Sequence, residues 1–358
     1  MADETRLRSY HQPLKHQMMA PKVSVKEALY PEPRQPKGVR PRTEGPFTLA
    51  EIHYGHSTRL RHERESKPRA YPALIPLNDS PQSERWTSLN KPTYGTLNGI
   101  DYAATDELLI GVGRWPSKAI REATTTAYHG LLGATRRLGY EHLLRVWQFF
   151  PEIHREEEDL ERYRSFCLAR HEALEAFGFN MRHNLPAASA LGSSGEDLWL
   201  IFIAGNGAMT PLENPNQVSA YNYPERYGPK SPSFSRAVRF KSPQHDVVFI
   251  SGTASILGHE THAPNDIRRQ CEITIDNLST LLKTHHLQPL WQWGERAAFK
   301  IYLRQAKDQA LMKECLKSWL HPSSRVIWLE ADICRRDLLL EIEATLDLSG
   351  SSWHPTYT

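Results

Sequence analysis

From about residue 105 to residue 347 the chain runs through the same order of elements twice, and this repeat constrains the fold more than any other feature. Each half reads as helix, strand, helix and then a pair of strands led by proline. The first half predicts a short strand at Leu108–Val112, a helix over Ser117–Leu138, a strand at Leu143–Phe150 ended by Pro151, and a helix over Glu156–Phe177. Strands at Leu185–Leu191 and Leu198–Ala204 close it, with Gly192–Gly195 as the turn between them. The second half predicts a hairpin of Arg236–Phe240 with Asp246–Ile250, then a helix over Asp266–Lys283 capped by Asp266. A strand at Arg296–Leu303, a helix over Gln305–Leu320 and strands at Arg325–Asp332 and Leu338–Leu346 follow. The helices are recognised by apolar residues near helical spacing, such as Ile267, Cys271, Ile275, Leu278 and Leu282.

The two halves differ where they should agree. Overlaid, Leu198–Ala204 lies on Leu338–Ala344, so that Ile201 matches Glu341 and Ile203 matches Glu343. Side chains alternate faces along a strand, so both glutamates point the same way. An apolar strand folds at least as well, and a buried carboxylate is costly. The acids therefore need another reason, and a carboxyl held on a buried strand has its pKa lifted. The last two strands are expected to form a hairpin across a tight charged turn that brings Cys334 near Glu341. Thiol and carboxyl then make a reactive pair. The rival reading is an amphipathic edge strand with a wet outer face.

Composition excludes several classes. The 358 residues are 39% hydrophobic and 24% charged, as in a soluble globular protein of one or two domains. No apolar run approaches the length of a membrane helix. The start lacks a hydrophobic signal core, which predicts a cytoplasmic protein. A formal charge of +3, with no basic block carrying interleaved aromatics, does not suggest nucleic acid. Cys167, Cys271, Cys315 and Cys334 have neither metal-ligand nor redox spacing. His259-Glu-Thr-His262 lacks the i, i+4 spacing of a helical zinc site.

Residues 1–46 are rich in Pro, Lys and Arg and poor in apolar residues, which predicts a flexible arm. Residues 47–100 remain Pro-rich but add Phe47, Leu49, Ile52, Tyr54 and Trp86; irregular structure with a few short strands is expected. Residues 205–235 show almost no regular pattern. A loop this long in a compact chain is functional or disordered, and Met209, Tyr221, Tyr223 and Tyr227 argue against disorder. Its cations Arg226 and Arg236 are suited to forking onto carboxylates; a packed surface lid is the alternative. Phe249–His262 leaves a strand into a Gly-containing turn, open either to close backbone approach by a ligand or to tight packing.

Ile250–Thr253, the helix with Gln270 and Asn277, Arg325 and Glu341-Ile-Glu343 resemble the YjgF/RidA-like fold over residues 236–347, and more weakly over 105–204. The whole stretch from about 85 to 347 more specifically resembles the chorismatase family. The resemblance rests on Tyr221–Pro229, Ser233–Ala237, Ser251–Ile256 with Gly258–Thr261, Ala331–Glu343 and Leu160–Cys167. It implies an α+β fold of two RidA-like (chorismate-mutase-like) modules in a pseudo-oligomeric core, for which a monomer suffices. The expected division is an arm at 1–46, an N-terminal region with the first module at 47–204, an active-site loop at 205–235, the second module at 236–347 and a tail at 348–358. The implied activity is cleavage of the enolpyruvyl ether of chorismate with release of pyruvate, without metal or cofactor. Glu341 suits the general acid, since protonating an enol ether carbon needs an acid lifted toward neutrality. Arg226, Arg236 and Arg325 are the candidates for the two substrate carboxylates, and Tyr221 and Tyr227 for orienting the ring. Within the family a cysteine at the Cys334 position goes with the 3-hydroxybenzoate branch. A hydrolytic branch giving a diol and a mixed 3-/4-hydroxybenzoate branch stay open. So do a RidA-like imine hydrolase and a ligand-binding protein without turnover.

Overall fold

The structure is a computed structural model and describes residues 46–55, 67–78, 82–350 and 355–358. The expected arm at 1–46 therefore lies outside the described residues but for its last position. Strands β1 (Phe47–Tyr54), β2 (Arg69–Ala70), β3 (Ile75–Pro76) and β4 (Gln82–Ser88) come first. The first module has β5 (Thr93–Leu97), β6 (Ile100–Ala104), β7 (Leu108–Pro116), α1 (Ile120–Arg137) and β8 (His142–Pro151). It continues with the short β9 (Glu156–Glu157) and β10 (Leu160–Glu161), then α2 (Arg162–Ala176), β11 (Ala187–Ser193) and β12 (Asp197–Gly205). The second has β13 (Ala208–Leu212), β14 (Ala237–Lys241), β15 (Asp246–Thr253), the short β16 (Ile256–Leu257) and β17 (Glu260–Thr261), and α3 (Ile267–Thr284). Then come β18 (Ala297–Leu303), α4 (Gln309–Leu316), β19 (Arg325–Glu330), β20 (Leu340–Asp347) and, last, β21 (Thr356–Tyr357).

The repeat is one of topology. The first module's sheet has the order β11-β8-β12-β7-β6-β5, and the second's has β13-β14-β15-β20-β18-β19-β3. In both, a strand pairs in parallel across a helix (β8 with β11, β18 with β19). The following strand then returns antiparallel on the other side (β12 on β8, β20 on β18). This doubled topology, with helices on one face of each sheet, is an α+β fold. Helices α1 and α2 cover the outer face of one sheet, and α3 and α4 that of the other. The inner faces meet a third sheet, β2-β1-β4-β21, around a shared core. Leu49, Ile52 and Trp86 of the third sheet pack there with Trp147, Ile201 and Ile203 of the first module and Phe240, Phe249 and Ile327 of the second. Strands covered on both faces are buried along nearly their whole length, as β8 and β20 are, so the polar residues they carry are buried with them.

Several expectations need correction. The last two strands do not form a hairpin: β18 lies between β19 and β20. A parallel partner reached through α4 leaves β19 on the outside, where its free edge pairs with β3. The chain must then cross back over the sheet end, so Ala331–Leu339 is a crossover loop and not a tight turn. Residues 47–100 are more regular than expected, because β1 and β4 pair along seven registers with one irregularity between Thr48 and Ala50. Within 205–235, β13 pairs with β14. Pro211 is tolerated there because β13 is an edge strand. The second helix starts at Arg162 rather than Glu156, since Glu158 and Asp159 take φ of 53° and 61° in the tight turn joining β9 to β10. Asp266 does cap α3, its carboxylate accepting the Arg269 N–H at 3.0 Å, a contact typically contributing about 1 kcal/mol. Among the described residues no helix is long and apolar enough to cross a membrane.

Candidate active site

Glu341 and Glu343 of β20 point to the same face and are both buried, 4% and 3% exposed. Their surroundings make them opposites. The Glu343 carboxylate meets the Arg145 guanidinium at 2.7 Å and Lys300 Nζ at 3.1 Å. Trp147 Nε1 and Ser189 Oγ donate to it at 2.6 Å each. Lys300 also reaches Glu84 at 2.8 Å, and Glu84 accepts from Tyr54 at 2.7 Å and Trp86 at 2.8 Å. Arg145, Glu343, Lys300 and Glu84 thus form a buried row of alternating charge that sums to zero. The row draws Glu84 from the third sheet, Arg145 from the first module and the other two from the second. Burial alone would raise the Glu343 pKa, but Lys300, Arg145 and the Ser189 and Trp147 hydrogen bonds overcome this and hold it at about 2.

Glu341 has no such company. Among the described residues no donor bonds its carboxyl, and no cation lies within ion-pair distance. Burial, followed by repulsion from the Glu343 charge, pushes its pKa up to about 8, with Arg145 opposing weakly from beyond ion-pair distance. At neutral pH it is a protonated acid. Space for it is made by β15: the pairing with β20 slips between Ile250 and Thr253, and the slip presents Gly252 to Glu341. A Cβ on Gly252 would stand 1.8 Å from Glu341 Oε1, so any larger residue there displaces the carboxyl. The Gly-containing turn read from sequence lines the cavity through Gly252, Ala254 and Ile256, and its smallness also leaves room for the acid.

Glu341 opens onto a cavity of about 240 Å³. Of the residues singled out in the sequence, Glu341, Cys334, Arg236 and Tyr227 line it. Arg236 comes from the segment before β14. It is 5% exposed, donates to the Val218 carbonyl at 2.7 Å and the Tyr223 hydroxyl at 2.8 Å, and keeps a buried Nε–H with no protein acceptor. Cys334 is on the crossover loop. Burial, then the neighbouring Glu341 charge, pushes its thiol up to about 12. The expected reactive thiol–carboxyl pair is therefore two neutral groups, because both are dehydrated together.

Three other expected residues lie elsewhere. Arg226 is at the surface, where it pairs with Glu260 at 2.6 Å and donates to Tyr227 Oη at 3.2 Å. Tyr221 packs against the helical core of the first module. Arg325 sits at the far end of the sheet. The registers align it with Ala298 and Thr345, four residues along from the Tyr302–Glu341 pair, or about 13 Å. Its guanidinium donates there to the Glu295 carbonyl at 2.7 Å.

Sequence reasoning missed Arg335, whose guanidinium carbon lies 4.2 Å from the centre of the Tyr227 ring and 5.4 Å from that of Tyr223. It donates to the His259 carbonyl at 2.9 Å, which fixes it on the cavity wall. Its signal was adjacency to Cys334, hidden while that segment was read as a turn. Tyr163 was missed as well, and Tyr223 was noted only as a loop aromatic, not as a site residue. What stands together is an acid protonated at neutral pH, two arginines aimed at one volume, and an aromatic wall. Such an arrangement is chemically suited to holding a small dianion and giving it a proton.

Comparison with known proteins shows the family. A family model described as chorismatase FkbO/Hyg5-like, N-terminal, matches residues 84–204. A 3-hydroxybenzoate synthase of Streptomyces hygroscopicus is 34% identical over 285 residues, 76% of this chain and 84% of that protein. A chorismatase of the same organism is 34% identical over 287 residues, 78% of this chain and 83% of that one. The crystal structure of a chorismatase superposes with a TM-score of 0.76 at 32% identity, covering 86% of this chain and 95% of that chain. The chain belongs to the chorismatase family.

Proposed function

We propose that this protein cleaves the enolpyruvyl ether of chorismate, releasing pyruvate and 3-hydroxybenzoate, with Glu341 as general acid and then base. The observation that carries this is the protonated Glu341 carboxyl, at a pKa of about 8, in one cavity with Arg236 and Arg335. The two arginines suit the two carboxylates of chorismate. The names of the curated relatives, a 3-hydroxybenzoate synthase and a chorismatase, support chorismate as substrate and 3-hydroxybenzoate as the ring product.

In this reading Glu341 gives its proton to the methylene carbon of the enolpyruvyl group. The side chain becomes an oxocarbenium, the bond from ring C3 to the ether oxygen breaks, and pyruvate leaves with that oxygen as its ketone. The neighbouring 4-hydroxyl oxygen closes onto C3, and its proton returns to the Glu341 carboxylate. Opening of the three-membered ring and loss of a ring proton give the aromatic acid. No water is consumed, and pyruvate plus hydroxybenzoate account for every atom of chorismate. Cys334, neutral and beside Glu341, takes up volume from which a water would otherwise attack. Tyr223 and Tyr227 flank the ring.

The test is direct. Purified protein is mixed with chorismate, pyruvate is followed by coupled reduction, and the ring product is separated and identified by its ultraviolet spectrum. Folded protein that yields no pyruvate between pH 6 and 8 sinks the proposal. Cys334→Ala is expected to divert product toward the diol; unchanged 3-hydroxybenzoate removes Cys334 from the choice of branch.

A further inference from the structure

Adjoining the larger cavity, and sharing Glu341, Cys334 and Gly252 with it, lies a second chamber of about 40 Å³. Glu341, Cys334, Gly252, Ala188, Ser189 and Arg170 line it. Arg170 is unusual. It projects from α2, is 2% exposed, and has no carboxylate within ion-pair distance among the described residues. Its Nη1 donates to Gln148 Oε1 at 3.1 Å and its guanidinium stacks 5.1 Å from the Phe166 ring. Its Nε–H is buried with no acceptor. Buried arginines are ordinarily paired, because an isolated charge in a low-dielectric interior is costly. An orphaned donor on such a cation calls for a partner that the resting protein does not supply.

The proposed chemistry supplies one. When Glu341 gives up its proton, a carboxylate appears beside the permanent charge of Glu343. Arg145 and Lys300, the cations facing this strand from β8 and β18, are already engaged by Glu343. Arg236 and Arg335 face the substrate. Tyr302 on β18 and Tyr163 on α2 have hydroxyls that burial keeps neutral, and the Cys334 thiol is neutral too. Arg145 keeps a buried Nη1–H without an acceptor but is already ion-paired with Glu343, which leaves Arg170 as the buried arginine lining the chamber with no carboxylate partner among the described residues. A chamber of this size holds one water, and a water there has the Arg170 guanidinium and the Glu341 carboxyl as polar partners.

We propose that Arg170 is the counter-charge for the ionised form of Glu341, acting through one water held in the small chamber between them. Arg170 is then a positioning residue: it stabilises the conjugate base of the acid and makes proton donation less costly. This rests on the reading of Glu341 as the proton donor.

The experiment titrates the Glu341 carboxyl by carbon-13 NMR in the full chain, assigned with Glu341→Gln, for the wild type, Arg170→Gln and Ala188→Val. The third variant fills the chamber without touching Arg170. Both variants are expected to raise the Glu341 pKa by about one unit, a tenfold weaker acid. Both should also lower kcat for pyruvate release with little change in KM, and move the alkaline limb of the kcat/KM profile upward. A purely structural Arg170 would lower thermal stability and leave the titration where it was. An unmoved titration in Ala188→Val overturns the bridging water even if Arg170→Gln fails to fold. An unmoved titration in a folded Arg170→Gln overturns the counter-charge itself. The carboxyl titration decides this whether or not chorismate is turned over, so failure of the proposed reaction is read separately, from wild-type pyruvate release.

Discussion

At the scale of single residues, Glu341 carries opposite consequences for stability and for activity. Its folded pKa of about 8 lies above the ordinary value of 4.5, so the folded protein holds a proton that the unfolded chain has lost between those values. Stability contributed by this group is full below about pH 4.5 and is lost as pH rises toward 8. Glu343, held at about 2, behaves inversely: its contribution is present above pH 4.5 and is lost as pH falls toward 2. Glu341→Gln is therefore expected to melt at a higher temperature than the wild type at pH 8, while pyruvate release falls by roughly 10²–10⁴-fold. Calorimetry alongside the coupled assay checks both; a variant both less stable and fully active contradicts the assignment. Gly252→Ala should fold yet lose most activity, because its Cβ would occupy the space of Glu341 Oε1. A crystal structure of that variant should show the carboxyl rotated away.

At the scale of elements, β20 sets two identical side chains two residues apart in different electrostatic environments. The cause is what each faces: Glu343 faces Arg145 of β8 and Lys300 of β18, and Glu341 faces Gly252 and open cavity. Removing the first charge should disturb the second acid. Glu343→Gln leaves Arg145 and Lys300 without their shared anion, which typically costs 3–5 kcal/mol. With the neighbouring negative charge gone, the Glu341 pKa falls, so the alkaline limb of the activity profile moves to lower pH. A limb that stays in place would mean that burial alone sets the Glu341 pKa. The crossover loop at 331–339 is the other decisive element, because crossing the sheet end is what lays Cys334 and Arg335 over the cavity.

At the scale of the whole molecule, two modules and a third sheet close one core, and the buried charges join all three through Glu84. The repeat also explains where the cations come from: Arg145 on β8 and Lys300 on β18 sit at matching places in the two modules, opposite Ile203 and Glu343. One module keeps the apolar residue and the other converts that place into an anion for both cations. Around the cavity Arg164, Arg236, Arg335 and Arg336 outnumber the acids Glu161 and Glu341, of which the second is neutral. A dianionic substrate is drawn toward such a rim, so kcat/KM for chorismate should fall as salt rises from 0.01 to 1 M, with kcat changing less. Stopped-flow or steady-state measurements across that range test it; a flat kcat/KM removes steering from the account.

The sequence by itself determined what is local or repeated. Period-two alternation put Glu341 and Glu343 on one face, and the comparison with Ile201 and Ile203 marked them as surplus to folding. Spacing and capping located α3, and the order of elements disclosed the doubled topology. The tertiary structure alone decided what depends on distant segments meeting. It inserted β18 between the last two strands, which took Arg325 to the far end of the sheet and brought Arg335 into the site. It gave Glu343 its cations from two other strands and left Glu341 beside a glycine. Nothing along β20 distinguishes the two carboxyls; they differ because charge and water are distributed by the packing of three sheets, and burial is a property of the neighbours rather than of the residue.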